Sequence, residues 1–275
     1  MIHKLGYYKT TNWYTRKHLI DWLTCLGIFV TEQILTNFVI NPYKRYEPDG
    51  SEFQLALYPL LDDIVPTWLL LTIGLLLPTC VFVSYYIYYR NSHDLHHALL
   101  GLFETFTFTM LFTDFLKITA GRYRPDYQSR LSTHNASIIR DGRLSFPSGH
   151  SSLSFSTMAF LSLYLCGKLK IFRKDGGAVW KVLVVLAPYA ISSTIAISRT
   201  IDYHHDFSDI LGGSFIGLAM GVFIYFMNFN SLFSKECSLP KNRIHPNYAK
   251  DILTSDGLLY PERDTYTSLS ISSAY

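Results

Sequence analysis

The feature that most constrains this chain is a series of apolar stretches long enough to cross a bilayer. The clearest stretch runs from Val65 to Tyr89 without one charged residue. About 20 consecutive, mostly apolar residues span the hydrocarbon core of a membrane as a helix. Six stretches meet or approach this length, at residues 19–40, 65–89, 97–118, 151–167, 179–198 and 209–229. The sequence therefore predicts an all-α integral membrane protein, built as a bundle of six transmembrane helices.

Composition agrees with a lipid environment. Only 16% of the residues are charged, whereas soluble domains carry about a quarter. The net charge of +3 is too small to indicate a nucleic-acid partner. The four cysteines are widely spaced, which favours buried thiols over a disulfide framework or a metal site.

Charge in the connecting segments predicts the orientation. The 168–181 segment is basic and the 41–64 segment is acidic, and basic loops tend to stay in the cytosol. With six spans, the sequence divides into a cytosolic arm (1–18), a six-span domain (19–230) and a polar, disordered cytosolic tail (231–275). The 119–150 segment carries five arginines but falls on the opposite side, so these arginines need another role.

Polar residues also occur within the predicted spans. Glu32, Glu104 and Asp114 should face the bundle interior, where they join helices or take part in chemistry. His93, His96 and His97 suggest a metal cluster by their spacing, but we expect them on a solvated cytosolic turn rather than around a metal.

A first polar patch closes the third predicted span, in the stretch KITAGRYRP. Lys117 and Arg124 are seven residues apart, so they share a helical face if the helix extends that far. Pro125 disfavours helical geometry before it, so Arg124 should mark the helix end. A lysine and an arginine together suit a phosphate dianion. Cations at a span end also reach toward lipid headgroups, which is the alternative interpretation.

A second patch, SFPSGHSS, opens the fourth predicted span. A helix that begins after Ser148 presents unpaired amides to an anion. Gly149 allows close approach of the anion to the backbone, and His150 stands beside it. A simple helix cap with an unrelated histidine is the alternative.

A third patch, SRTIDYHHDFSD, joins the fifth and sixth predicted spans. Arg199 offers a second guanidinium for phosphate. His205 and Asp209 are spaced i, i+4, so on a helix the carboxylate can hold the imidazole. His204 competes as the reactive histidine, but Ser208 stands where its carboxylate would be. A solvated interface loop is the alternative interpretation.

Six alternating spans bring all three patches to one membrane face. Together, Lys117-x6-Arg124-Pro125, Pro147-Ser-Gly-His150 and Ser198-Arg199-x5-His205-x3-Asp209 resemble the three-part signature of the type 2 phosphatidic acid phosphatases, also called lipid phosphate phosphatases. The resemblance includes the fungal diacylglycerol pyrophosphate and phosphatidate phosphatases. It covers roughly residues 95–225, with every signature position intact.

The resemblance implies a mechanism. His205 would attack phosphorus and form a phosphohistidine while Asp209 holds its ring, and His150 would serve as acid and then as base. The phosphoryl oxygens would be bound by five residues: Lys117, Arg124, Ser148, Gly149 and Arg199. Enzymes of this family work without a divalent metal or other cofactor.

The implied substrate is a phospholipid phosphate in the bilayer: phosphatidate, lysophosphatidate or diacylglycerol pyrophosphate. The enzyme would lie in an endomembrane (endoplasmic reticulum, Golgi or vacuole) or the plasma membrane, with a lumenal or extracellular site. Asn135-Ala-Ser137 is a possible glycosylation sequon on that side. Alternative functions are a sphingoid-base phosphate or dolichyl-diphosphate phosphatase, or a catalytically silent lipid-binding or transport protein. The sequence does not define the oligomeric state.

Overall fold

The computed structural model describes residues 16–45, 58–173 and 176–241, with side chains from His18 onward. Most of the predicted N-terminal arm, and the predicted tail beyond Lys241, lie outside the described residues. The helices within them are α1 (Arg16–Ile34), α2 (Thr67–Leu71), α3 (Leu77–Tyr89), α4 (Ser92–Ala120), α5 (Tyr127–Leu131), α6 (Ala136–Asp141), α7 (Gly149–Leu169), α8 (Val179–Ile201) and α9 (Phe207–Asn228). One π-helical turn, Leu35–Val39, extends α1, and another, Thr72–Leu76, joins α2 to α3. No β-strand occurs in these ranges, so the predicted all-α class is confirmed there.

Five helical stretches in the described ranges are long and apolar enough to cross a membrane. They are His18–Val39, Thr67–Tyr89, Ser92–Ala120, Val179–Ile201 and Phe207–Asn228. Each overlaps a predicted span. The sixth predicted span lies in α7, a helix of 21 residues that is not among the five. The structure therefore contains five candidate spans in the described ranges, and the sixth span stays a prediction.

The difference at α7 has a physical reason. This helix packs against α4, α8 and α9, so most of its surface meets protein. Its interior face is rich in buried hydroxyl residues, namely Ser151, Ser152, Ser154, Ser156, Thr157 and Ser162. Hydroxyls are tolerated there because they bond to carbonyl groups of their own or neighbouring helices, as Ser162 does with Val185 (2.6 Å). The enclosed position of α7 permits a lower hydropathy than lipid contact would.

The contact between α7 and α9 depends on glycines spaced four residues apart. A Cβ atom added at Gly213, Gly217 or Gly221 would lie only 2.3–2.5 Å from a carbonyl oxygen of Ser148, Ser152 or Ser156. Small residues at this spacing let two helix backbones approach closely, as in membrane helix pairs. This close contact fixes the start of α9 beside the start of α7, where two of the predicted patches lie.

At the opposite end of α7, residues 231–241 form turns against the bundle. Leu232, Cys237 and Leu239 are buried, and the Lys241 amide donates to the Asn228 carbonyl (2.8 Å). The Lys168 ammonium donates to the Ser238 carbonyl (2.5 Å) and pairs with buried Asp94. Lys168 therefore belongs to the interior rather than to a solvated basic loop.

The prediction that the histidine cluster lies on a solvated turn is wrong. His93, His96 and His97 lie in the first turns of α4, and His93 and His97 are buried. His18 of α1 packs edge-on against His96 and His97, with ring centroids 5.0 and 5.5 Å apart. Asn91 caps the start of α4 by accepting from the Asp94 amide (3.1 Å), so the histidines belong to the helix rather than to a turn.

Two of the three acids expected in the bundle interior are buried there. Glu32 and Glu104 are 5% and 3% exposed. The Glu104 carboxylate accepts from the Asn228 amide group of α9 (2.5 Å), so it joins two helices, as one of the two interpretations predicted.

Candidate active site

The first patch is divided between a helix and a loop. α4 ends at Ala120, and Gly121 adopts a left-handed conformation (φ 54°). A Cβ atom at Gly121 would lie 2.0 Å from the Tyr43 carbonyl oxygen, so this position requires glycine. Lys117 lies in the last turn of α4, but Arg124 is in the loop beyond it. The expectation that the helix extends to Arg124 is therefore wrong, because the chain turns at Gly121 before it reaches Pro125.

The second patch forms the start of α7, as predicted. Ser148 is the N-cap residue, and its hydroxyl accepts from the Ser151 amide at 3.4 Å. Gly149 and His150 form the first turn. A Cβ atom at Gly149 would meet only the Lys117 side chain, at an ordinary 3.6 Å. The packing around Gly149 therefore does not itself demand a glycine.

The third patch joins α8 to α9. Arg199 lies in the last turn of α8, and His205 precedes the start of α9 at Phe207. His205 is therefore not on a helix, whereas the i, i+4 argument assumed that it was. Even so, its Nδ1 lies 3.5 Å from Asp209 Oδ2. A reciprocal capping box between Asp206 and Asp209 begins α9 and holds Asp209 at this point.

The three patches meet around one cavity of about 400 Å³. The predicted site residues that line it are Lys117, Arg124, Gly149, His150, Arg199 and His205. Ser148 and Asp209 are fully buried behind this lining, and the Ser148 amide donates to the Asp209 carbonyl (3.0 Å). The phosphate-binding role of Ser148 stays a prediction. In the structure its hydroxyl caps α7 by accepting from the Ser151 amide.

Asp209 is held by residues that the sequence did not single out. Its Oδ2 accepts from the Ser145 hydroxyl (2.5 Å) and the Asp206 amide (3.1 Å), and its Oδ1 accepts from Arg122 (2.8 Å). Arg122 also pairs with Asp206 (2.8 Å). These bonds keep a buried carboxylate beside the His205 ring. The arginine excess in 119–150 was the available signal for Arg122, whereas Ser145 gave none.

The cavity is strongly charged. Four cationic side chains line it, those of Lys117, Arg124, Arg130 and Arg199, along with the carboxylates of Asp62, Asp63 and Asp141. Asp141 bridges Arg124 and Arg130, each at 2.8 Å. Burial opposes ionisation of Asp141, but the nearby positive charges prevail and hold its pKa below the usual value of 3.8.

His205 is kept neutral by its surroundings. Burial, together with the positive charges of Arg124 and Lys117, holds the pKa of His205 well below 6.5. A neutral imidazole has a lone pair available for attack on an electrophile, so this environment suits a nucleophile.

His150 is oriented by the segment before α2. Its Nε2 lies 3.0 Å from the Val65 carbonyl oxygen. A carbonyl only accepts, so this bond places a proton on Nε2 and leaves Nδ1 to exchange protons. Leu60 to Asp63 of the same segment line the cavity, although sequence reasoning treated the segment only as an acidic loop.

Among the described residues, one group of metal-ligand types lies close together: Asp63, Asp202 and His204, whose ligand atoms are within 4.8 Å of one another. The Arg199 guanidinium pairs with both carboxylates, at 2.9 Å from Asp63 and 2.5 Å from Asp202. A cationic side chain thus already pairs with both carboxylates, which makes the group a poor match for a divalent metal.

Asn135 lies in the 119–150 segment and is not one of the residues that line the cavity. It is exposed and caps α6, with its Oδ1 accepting from the Ser137 amide (3.0 Å) and hydroxyl (2.7 Å). Its accessibility is compatible with the predicted modification.

Comparison with known proteins agrees with the family that the three motifs resemble. The PAP2 superfamily profile matches residues 98–232. A PA-phosphatase related-family protein of Dictyostelium discoideum is 64% identical over the full length of both chains. Lipid phosphate phosphatase 2 of Arabidopsis thaliana is 36% identical over 78% of both chains. Diacylglycerol pyrophosphate phosphatase 1 of Saccharomyces cerevisiae is 32% identical over 68% of this chain and 66% of its own.

No solved structure matches the chain significantly. The family assignment therefore depends on sequence, and the extent of the match to the Arabidopsis protein is sufficient for it. The chain belongs to the PAP2 superfamily and, within it, to the lipid phosphate phosphatases, a membrane-embedded family of phosphoric monoester hydrolases.

Proposed function

We propose that this protein hydrolyses the phosphate of phosphatidate, lysophosphatidate or diacylglycerol pyrophosphate through a phosphohistidine. One observation carries the proposal: residues of all three patches, namely His205, His150, Lys117, Arg124 and Arg199, line the same cavity. The names of the plant and yeast relatives support the substrate class.

In the first step, Nε2 of neutral His205 attacks phosphorus and the bond from phosphorus to the leaving oxygen breaks. Asp209, 3.5 Å from Nδ1, stabilises the positive charge that develops on the ring. His150 enters this step with a proton on both ring nitrogens, a form that the negative charge of the bound phosphate favours. It donates its Nδ1 proton to the leaving oxygen and becomes neutral, while Nε2–H stays on the Val65 carbonyl.

In the second step, His150 Nδ1 takes a proton from water, and the oxygen of that water attacks phosphorus. The bond to His205 Nε2 breaks and inorganic phosphate is released. Lys117, Arg124 and Arg199 would stabilise the charge spread over the phosphoryl oxygens. The proposal needs no metal ion in either step, since these side chains supply the positive charge.

We also propose that α7 is a sixth span, which places the cavity on the lumenal or extracellular face. Lys170, Arg173 and Lys181 would then lie in the cytosol. The compartment would be an endomembrane or the plasma membrane.

The test is phosphate release from phosphatidate in detergent micelles with excess EDTA. Wild type should be active, and His205→Ala should lose activity by a factor of about a thousand or more. His134→Ala, at an exposed loop position, is the control and should match wild type. A ³²P label retained on the acid-quenched wild-type chain, but not on His205→Ala, would identify the covalent intermediate.

Activity that requires added Mg²⁺ would overturn the mechanism. Stronger competition by sphingoid-base phosphates or dolichyl diphosphate would reassign the substrate. If no lipid phosphate is hydrolysed, the chain is a silent lipid-binding or transport protein and the proposal is wrong.

A further inference from the structure

The guanidinium of Arg199 already pairs with two carboxylates in the structure. Its NH1 lies 2.9 Å from Asp63 Oδ1, its NH2 lies 2.5 Å from Asp202 Oδ2, and its Nε donates to the Ser198 hydroxyl at 3.3 Å. Arg199 is 1% exposed. A phosphoryl group that binds NH1 therefore competes with Asp63 for this nitrogen.

The two carboxylates differ in how firmly they are held. Asp202 is 1% exposed, lies three residues after Arg199, and is also 3.1 Å from His204 Nδ1. The hydrogen bond from His204 and the charge of Arg199 outweigh burial and hold the pKa of Asp202 below 3.8. Asp63 has a side chain 38% exposed at the cavity lining, outside the helices. Asp63 is therefore the partner that can be exchanged.

A second position for the Asp63 carboxylate lies next to the first. His204 Nε2 is 3.6 Å from the same Asp63 oxygen that contacts Arg199. His204 is the neighbour of the proposed nucleophile, and the proposed reaction gives it no role. Its Nε2 can donate a hydrogen bond to the carboxylate once Arg199 releases it. This requires a proton on both ring nitrogens of His204, because Nδ1 already faces Asp202 at 3.1 Å.

We infer that Asp63 is a positioning residue that occupies the phosphate site on Arg199 before substrate binds, and that it transfers to His204 when a phosphate group arrives. This inference rests on the proposed function only in taking phosphate as the ligand. Asp63 holds the guanidinium in an orientation that faces the cavity. Because phosphate must displace Asp63, the free energy of that displacement lowers the apparent affinity for phosphate. The exchange sets how tightly substrate and product phosphate are held.

The experiment measures binding of inorganic phosphate to the full chain in detergent by calorimetry, together with its inhibition constant against phosphatidate. Asp63→Asn removes the competing charge and should tighten phosphate binding by about two- to fivefold, the range expected of a partly exposed ion pair. His204→Gln removes the receiving imidazole and should weaken binding by a similar factor.

Asp62→Asn is the matched control. Asp62 also lines the cavity and is exposed. Asp62→Asn therefore removes one negative charge from the same cavity lining, one residue away from the carboxylate that pairs with Arg199. Its phosphate affinity should change by much less than that of Asp63→Asn. A thermal melt of each variant verifies that the fold is retained.

The inference is overturned if Asp63→Asn binds phosphate no more tightly than wild type, or if Asp62→Asn tightens binding equally. The binding measurement does not require turnover. A wild-type chain that binds phosphate but hydrolyses no lipid would thus contradict the proposed function, while the comparison of variants would still decide the role of Asp63.

Discussion

His205 Nδ1 lies 3.5 Å from Asp209 Oδ2, although the two residues do not share a helix. Asp209 is completely buried and is held by Ser145, Arg122 and the Asp206 amide. The carboxylate is thus held by the cap of α9 and by the loop before α7. The imidazole of His205, on the loop between α8 and α9, lies beside this carboxylate.

Asp209→Asn should lower kcat/KM by at least about a hundredfold, because an amide cannot stabilise the positive ring of His205 during attack. Phosphatidate hydrolysis measures the effect. Asp206→Asn is the control, since Asp206 pairs with the same Arg122 but its side chain is 58% exposed and asparagine also caps helices. Equal losses in both variants would assign the effect to the Arg122 contacts instead.

The activity should persist as the pH falls below 6.5. His205 attacks only when neutral, and its pKa is held well below 6.5 by burial and by the charges of Arg124 and Lys117. Protonation of His205 therefore removes activity only as the pH falls through that lowered value. Arg124→Gln removes one positive neighbour and should move the acidic limb of the kcat/KM profile to higher pH.

The pH comparison uses one substrate, so ionisation of the substrate phosphate is common to wild type and Arg124→Gln. A limb that stays in place, or moves to lower pH, would contradict the electrostatic effect of Arg124 on His205.

Gly217→Ala should destabilise the protein by about 1–3 kcal/mol, because its Cβ would lie 2.3 Å from the Ser152 carbonyl oxygen and 2.9 Å from the Ser156 amide nitrogen. Thermal unfolding in detergent measures this. Gly27→Ala is the control, since Gly27 is also helical and has no neighbour within 4 Å of an added Cβ among the described atoms. Identical melting temperatures would show that α7 and α9 adjust without cost.

Asn135 should carry a glycan when the protein is made in a eukaryotic secretory system, because the exposed sequon lies on the loop that we propose to be lumenal. Endoglycosidase should increase the mobility of wild type, and Asn135→Gln should remove the shift. If the mobility of wild type does not change after endoglycosidase, the sequon gives no support to the proposed orientation.

Much of the fold follows from short-range patterns. The uncharged run from Val65 to Tyr89 and the cap at Ser148 predict helices that the structure contains. Both depend on neighbours in the chain, such as apolar length and a hydroxyl before a helix. The same reasoning failed where the chain turns: α4 ends at Ala120 because Gly121 packs on the Tyr43 carbonyl, a contact that spans 78 residues of sequence.

The sequence by itself determined the family and the chemical residue types, since Lys117, His150, His205 and Asp209 are legible as spaced motifs. Only the tertiary structure decided what surrounds them. Asp63 reaches Arg199 across 136 residues, and Arg122 reaches Asp209 across 87. Such contacts have no local signature, because they arise from helix packing through Gly213 and Gly217 and from loops that the packed bundle brings together.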